Sequence, residues 1–206
     1  MLEVRNLSFS YNKETPILKD FSMRMEAGER VALLGPSGCG KSTFSQILAG
    51  FIKPDAGTVL LDRMPLPKDV YSPIQLIYQH PEKAMNPRWK LRQILDEAWQ
   101  VPQRLLAAMG VEERWLSRWP NELSGGQLQR LSILRALNPA TRLLIADEIT
   151  ASLDPITQVQ IWSVILEECK NNNTAILAIT HNRLLAKKIC SRAIDFSKES
   201  HLCPDV

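Results

Sequence analysis

Three short stretches of unbroken apolar character stand out along the chain: "RVALLG" (Arg30–Gly35), "RLLIAD" (Arg142–Asp147) and "AILAITH" (Ala175–His181). Runs this short and this uniform fit strands covered on both faces, as in a parallel sheet flanked by helices. Helical patterns lie between them, over Lys41–Ala49, Gly126–Leu137 and Pro155–Lys170. The last begins with a proline, tolerated where the first-turn N–H has no partner. It repeats Ile156, Val159, Trp162, Leu166 and Cys169 at helical spacing, which predicts its buried face. Leu2–Tyr11 and Ile17–Met25 alternate apolar and polar residues instead, as half-exposed antiparallel strands do, with a turn expected about Asn12–Pro16.

The stretch Pro81–Leu123 has a different texture. It reads as short helices in "LRQILDEAWQ", "PQRLLAAMG" and "EERWLSRW", punctuated by Pro87, Pro102, Gly110 and Pro120. With part of the helix that follows, this predicts a small helical subdomain at about residues 81–135, inserted in a single domain spanning residues 1–206. The expected class is α/β, with a mostly parallel central sheet, an antiparallel β subdomain and the helical insertion. Each of the three apolar runs ends on reactive chemistry: a glycine loop, an Asp-Glu pair and a histidine. Open α/β sheets bind ligands beyond the carboxyl ends of their strands, so the three ends are expected to meet in one crevice.

Composition narrows the class without changing it. At 206 residues, 45% apolar and 23% charged, the chain is long enough for one sizeable core and has the make-up of an ordinary globular protein. Its formal charge of +3 is small and dispersed, which argues against a nucleic-acid partner. Cys39, Cys169, Cys190 and Cys203 have neither metal-site spacing nor a disulfide framework, so reduced thiols in a cytosol are expected. No stretch approaches the roughly 20 apolar residues of a membrane span, and the first residues lack a signal-peptide core. The tail "SKESHLCPDV" reads as loose.

The candidate chemistry begins at "GPSGCGKST", Gly35–Thr43, which satisfies G-x-x-x-x-G-K-[ST] between a buried strand and a helix. Glycines let backbone N–H groups curl round phosphate oxygens at a helix N-terminus. Every residue of the loop, with Pro36, Ser37 and Cys39 between the glycines, is therefore a candidate nucleotide contact. Lys41 adds charge toward the β and γ phosphates, and Ser42 is placed to ligate Mg²⁺. Asp147 ends the second run facing that metal, while Glu148 is a candidate general base for an attacking water. His181 ends the third run, where it either hydrogen-bonds the γ-phosphate or the water, or simply packs or caps a helix. A second anion-binding element follows at "LSGGQLQR": Ser124 is a good N-cap, and Gly125 and Gly126 bare the first amides of a helix. One nucleotide has little use for two cradles.

Taken in order, these motifs resemble the nucleotide-binding subunit of ATP-binding-cassette (ABC) transporters over nearly the whole chain. "GPSGCGKST" is similar to the Walker A loop, "LLIADE" to the Walker B strand and "LSGGQ", Leu123–Gln127, to the family signature. "SLD", ending at Asp154, is similar to the D-loop, and His181 to the switch histidine. The resemblance implies two cassettes facing head to tail, as a homodimer or as a heterodimer with a second ABC ATPase subunit, each signature closing on ATP held by the partner's Walker A loop. It further implies that Tyr11 stacks on adenine, unless it is an ordinary strand-end tyrosine, and that Gln79 touches Mg²⁺ as the Q-loop glutamine. The helical insertion would receive a cytoplasmic helix of a membrane permease, with Trp89, Trp99, Trp115 and Trp119 divided between that groove and the core. "YQHPEKAMNPRWKLRQIL" is most similar to the oligopeptide, dipeptide and nickel uptake group. There an extracytoplasmic binding protein delivers substrate and the ATPase lies on the cytoplasmic face of the membrane. Position 149 departs from the family pattern: Ile149 stands where proline is usual.

Two other classes explain less. A soluble ABC ATPase of repair or translation would carry long coiled coils or a second cassette, whereas Phe44–Glu122 holds eight prolines and no sustained heptads. A P-loop phosphotransferase would leave "LSGGQ" and the ordered Gln79, Asp154 and His181 without a role.

Overall fold

The computed structural model describes residues 1–12, 15–67 and 70–196. Lys13 and Glu14 in the expected turn, and the tail Ser197–Val206 with Cys203, lie outside the described residues. In chain order the strands are β1 (Leu2–Asn12), β2 (Thr15–Met25), β3 (Arg30–Leu34), β4 (Ala56–Leu61), β5 (Met64–Pro65), β6 (Ile74–Ile77), β7 (Leu143–Asp147), β8 (Ala175–Ile179) and β9 (Arg192–Asp195). The helices are α1 (Lys41–Leu48), α2 (Leu91–Ala98), α3 (Gln103–Ala108), α4 (Gly125–Ala136), α5 (Pro155–Asn171) and α6 (Arg183–Ile189).

The three apolar runs form β3, β7 and β8, at the centre of a parallel sheet of order β6-β7-β8-β3-β9. Every residue of β7 and β8 is buried, which is why neither run alternates. A second, antiparallel sheet runs β2-β1-β4-β5, and β1 alternates buried and open positions as its sequence predicts. β4, β5 and β9 carry no comparable signal, being short and exposed over much of their length.

Two apolar clusters fill the molecule. In one, Phe21 of the antiparallel sheet packs edge-on against Phe44 of α1 at 5.0 Å and beside Phe196 at 5.2 Å, fixing that sheet to the floor of the glycine loop. The other joins α2, α3 and α4 to the parallel sheet and α5. It is reinforced by a bidentate pair in which Arg104 of α3 donates to Glu168 of α5 at 2.5 and 3.0 Å, Glu168 being 4% exposed.

The predicted buried face of α5 is corrected in part. Trp162 and Cys169 are buried, but Ile156 is 83% and Val159 70% exposed, and the helix seats itself on Ile161, Trp162, Val164 and Ile165 instead. "EERWLSRW" forms only a 3-10 turn at Glu113–Trp115. Of the four tryptophans, Trp115 is core, Trp99 is half-buried with its indole N–H donated to the Leu134 carbonyl at 2.9 Å, and Trp89 and Trp119 are exposed. Among the described residues, no helix is long and apolar enough to cross a membrane.

Candidate nucleotide site

Between β3 and α1 the loop Gly35–Thr43 turns through left-handed glycines, Gly38 at φ 83° and Gly40 at φ 96°. A side chain at Gly40 would strike Ile17, whereas Gly38 faces open space on the outer side of the loop. Pro36 and Ser37 are exposed beside Gly38 at the crown, while Cys39 turns inward and is buried. Ser37 is exposed at the open turn of the loop. What Ser37 can offer a phosphate is its backbone N–H, a donor that Pro36 lacks.

Lys41 opens α1, is 6% exposed, and folds back so that its ammonium donates to the Gly35 and Pro36 carbonyls at 2.9 and 2.7 Å, with Cys39 Sγ at 3.7 Å. None of the ion pairs among the described residues gives it a carboxylate. A buried ammonium hydrogen-bonded to two neutral carbonyls, beside an open glycine turn, suits an incoming polyphosphate.

The ends of the neighbouring strands close around this loop. Asp147, 7% exposed, ends β7. Burial pushes its carboxyl above the ordinary value and Glu148 adds to this, against the downward pull of the Ser42 hydroxyl and the Lys41 ammonium. A desolvated carboxylate beside a hydroxyl is a hard oxygen donor set that fits Mg²⁺. Glu148 follows at φ 49°, its amide donating to the Ile179 carbonyl of β8 at 3.0 Å and its carboxylate 3.1 Å from His181 Nδ1. A proline at 149 would disfavour that conformation of Glu148; Ile149 permits it and packs 3% exposed in the core. A cavity of about 80 Å³ opens beside Glu148 and His181. Gln79 lies exposed two residues past β6, next to β7, and the phenol of its neighbour Tyr78 is pushed up by burial and by Asp147. Tyr11, 66% exposed, stands edge-on to Phe9 at 5.0 Å with its hydroxyl 3.3 Å from Thr43 Oγ1, at the rim of the loop. The three strand ends lie side by side at the carboxyl edge of the parallel sheet, with Tyr11 at the rim of the loop.

The second cradle is built elsewhere. Leu123 ends a 3-10 turn; Ser124 caps α4, its Oγ accepting the Gln127 N–H at 3.3 Å while Gln127 Oε1 accepts the Ser124 N–H at 2.9 Å. A side chain on Gly125 would meet nothing, and one on Gly126 would crowd Leu153 at 3.2 Å, so the D-loop lies against the signature. Asp154 caps α5, its carboxylate accepting from the Ile156 and Thr157 amides at 3.1 and 3.0 Å. Among the described residues, no hydrogen bond or ion pair joins Leu123–Gln127 to Gly35–Thr43.

One residue escaped the sequence reading. Gln129, 4% exposed on α4, donates to the Tyr78 carbonyl at 3.3 Å and so ties the backbone just before Gln79 to the signature helix. Its only signal is a polar residue on the buried side of "LSGGQLQR".

The ABC transporter family profile matches residues 18–151. The nickel import system ATP-binding protein NikE of Staphylococcus aureus (strain MSSA476) is 32% identical over 94% of this chain and 85% of its own length. The ATP-binding cassette MJ0796, solved as a dimer bound to ADP and Pi in a post-hydrolysis state, superposes with a TM-score of 0.80 at 25% identity, covering 95% of this chain and 94% of that one. CbiO1 from Clostridium perfringens, part of the ABC transporter complex cbiONQ, superposes at 0.74 with 27% identity over 95% and 84%. Phosphate loops are widespread, but one that shares a chain with a capped signature helix, over this length of likeness, is not: the chain belongs to the ABC transporter family, as an ATPase subunit.

Proposed function

We propose that this subunit drives a membrane importer, binding ATP between itself and a second cassette and passing the closing motion to a separate permease. The observation that carries the reading is the pair of cradles: one at Lys41, Asp147, Glu148 and His181, the other at Ser124–Gln127, with no hydrogen bond or ion pair between the signature and the glycine loop among the described residues. In this reading residues 1–206 form a single ABC ATPase domain with the helical subdomain at about 81–135. The backbone amides of Gly35–Thr43, that of Ser37 among them, and Lys41 hold the phosphates, and Tyr11 stacks on adenine. Mg²⁺, held by Ser42, Asp147 and Gln79, would neutralise charge on the β and γ phosphate oxygens. Glu148 takes the proton of the attacking water, with His181 orienting both. Leu123–Gln127 and Asp154 serve the partner's ATP.

A groove of about 450 Å³ beside β6 and α4, lined by Phe51, Tyr71, Tyr78, Lys83, Glu97 and Arg135, suits a short permease helix and contains none of the four tryptophans. The subunit would then sit on the cytoplasmic face of the membrane, its cargo chosen by the permease and an extracytoplasmic binding protein. The likeness to NikE favours nickel, with another metal complex or a peptide as the related choices.

The test is Glu148→Gln. Turnover should fall about 10²- to 10⁴-fold while ATP affinity is kept, and a tagged copy should retain the permease and second cassette on purification. Unchanged turnover would remove Glu148 from the chemistry.

A further inference from the structure

The turn that follows Glu148 is gripped from α5. Glu148 is a non-glycine residue in the left-handed region, at φ 49°, and its carbonyl accepts the Ala151 N–H at 3.1 Å. A residue with a side chain leaves that region unless its surroundings hold it there. Two residues on, Thr150 is 2% exposed and is held twice. Its carbonyl accepts from Gln158 Nε2 at 2.7 Å, and its hydroxyl accepts the indole N–H of Trp162 at 3.2 Å. The same Gln158 amide donates to the Leu153 carbonyl at 3.2 Å, at the other end of a turn in which the Leu153 N–H returns to the Thr150 carbonyl.

Gln158 and Trp162 stand four residues apart, so one face of α5 presents both side chains to the turn. Both also line the small cavity at Glu148 and His181, yet their polar hydrogens point elsewhere. A primary amide has two N–H groups and an indole one, and all three are taken up by Thr150 and Leu153, which leaves neither residue a donor for a nucleotide or a water. Their chemistry is therefore directed at the backbone beside the base and not at the reacting atoms.

Resting on the reading of Glu148 as general base, we infer that Gln158 and Trp162 are positioning residues for it: by fixing Thr150 and Leu153 they hold the turn that keeps Glu148 left-handed and its carboxylate 3.1 Å from His181 Nδ1. Loss of either grip lets the Glu148 backbone relax toward ordinary conformations and carries its carboxylate out of line with the water. The effect falls on the chemical step and not on nucleotide binding, because the Lys41 ammonium is held within its own loop, by the Gly35 and Pro36 carbonyls.

The experiment measures turnover of the full chain at saturating Mg-ATP and high protein concentration, with fluorescent-nucleotide titration and thermal melting alongside. Gln158→Met keeps the length of the side chain and loses both N–H groups, while Gln158→Glu turns acceptor oxygens toward two carbonyls. Each should lower kcat about ten- to a hundredfold with ATP affinity kept. Thr150→Val and Trp162→Phe should each lower kcat, and the two combined should lower it no further than the worse of them; Thr150→Ser, which keeps the hydroxyl, should turn over as wild type does. In a Glu148→Gln background, Gln158→Met should leave the residual rate nearly unchanged, since no base is left to place. An unchanged kcat in Gln158→Met, whatever its melting temperature or ATP affinity, would make the residue merely structural and overturn the inference. So would a Gln158→Met that slows Glu148→Gln by the same factor as it slows wild type. Both results would leave Glu148 as the base. Full turnover in Glu148→Gln itself would remove the base, and this inference with it.

Discussion

Asp147 carries an unfavourable burden in the nucleotide-free protein. Burial and the adjacent Glu148 raise its pKa, so the folded chain holds this proton more tightly than the unfolded chain does. The sign follows: its contribution to stability is fully present below the unfolded pKa and lost as pH rises through the folded one. At neutral pH the charged carboxylate therefore costs stability. Asp147→Asn should stabilise the nucleotide-free protein by about 0.5–2 kcal/mol, with a gain that shrinks on acidification, while Mg-dependent ATP binding falls. Urea unfolding across pH checks this; a variant less stable than wild type at neutral pH would contradict it. Cys39 offers a second test at this scale. Its sulfur lies 3.7 Å from the Lys41 ammonium within the loop. A bulky thiol reagent should block ATP binding in wild type and not in Cys39→Ser, and ATP should protect; absence of protection would separate Cys39 from the phosphates. The identities of these residues were legible in sequence because phosphate chemistry demands them at fixed spacing. Their directions were not: Ser37 and Cys39 stand two apart in one loop, yet the first is exposed and the second buried. The left-handed backbone of Glu148 and its reach to His181 were hidden too, since both depend on β8 lying alongside β7.

Elements were legible in proportion to how one-sided their surroundings are. β3, β7 and β8 declared themselves because both faces are covered. α5 did not reveal which face it buries: it is apolar nearly all round, with Ile156, Val159, Ile161, Trp162, Val164 and Ile165 spread over its circumference, so period alone cannot choose between faces. The choice was made by the sheet and by Arg104 of α3 gripping Glu168. β9, edge-paired to β3, and the two-residue β5 escaped because backbone pairing rather than sequence pattern defines them. α4 gives the prediction proper to this scale. Its capped start presents bare amides and no side chain beyond Gly125. Ser124→Arg should leave ATP affinity of the isolated chain nearly unchanged and abolish hydrolysis. Full turnover in that variant would strip the signature of its role. The expected stability loss is about 1 kcal/mol, that of a missing N-cap, so a folded but inactive protein is the outcome to look for by thermal melting.

Across the whole molecule, the helical segment shares an apolar cluster with the parallel sheet and α5, and polar bonds tie it to the backbone near Gln79. Gln129 holds the Tyr78 carbonyl beside the Q-loop, and Arg135 donates to the Ala84 carbonyl at 2.7 Å and pairs with Glu97 at 3.0 Å. These side chains tie the backbone just before Gln79 to the signature helix, and the signature helix to the groove proposed for the permease. In the proposed reading the chain's catalytic site is completed by a second cassette, whose signature closes on the nucleotide held at Lys41. The most direct measurement is ATP turnover per molecule against protein concentration. The rate should climb steeply on going from dilute to concentrated protein and level off once facing pairs saturate. A rate per molecule that is high and flat across the full dilution series would contradict a site shared by two chains.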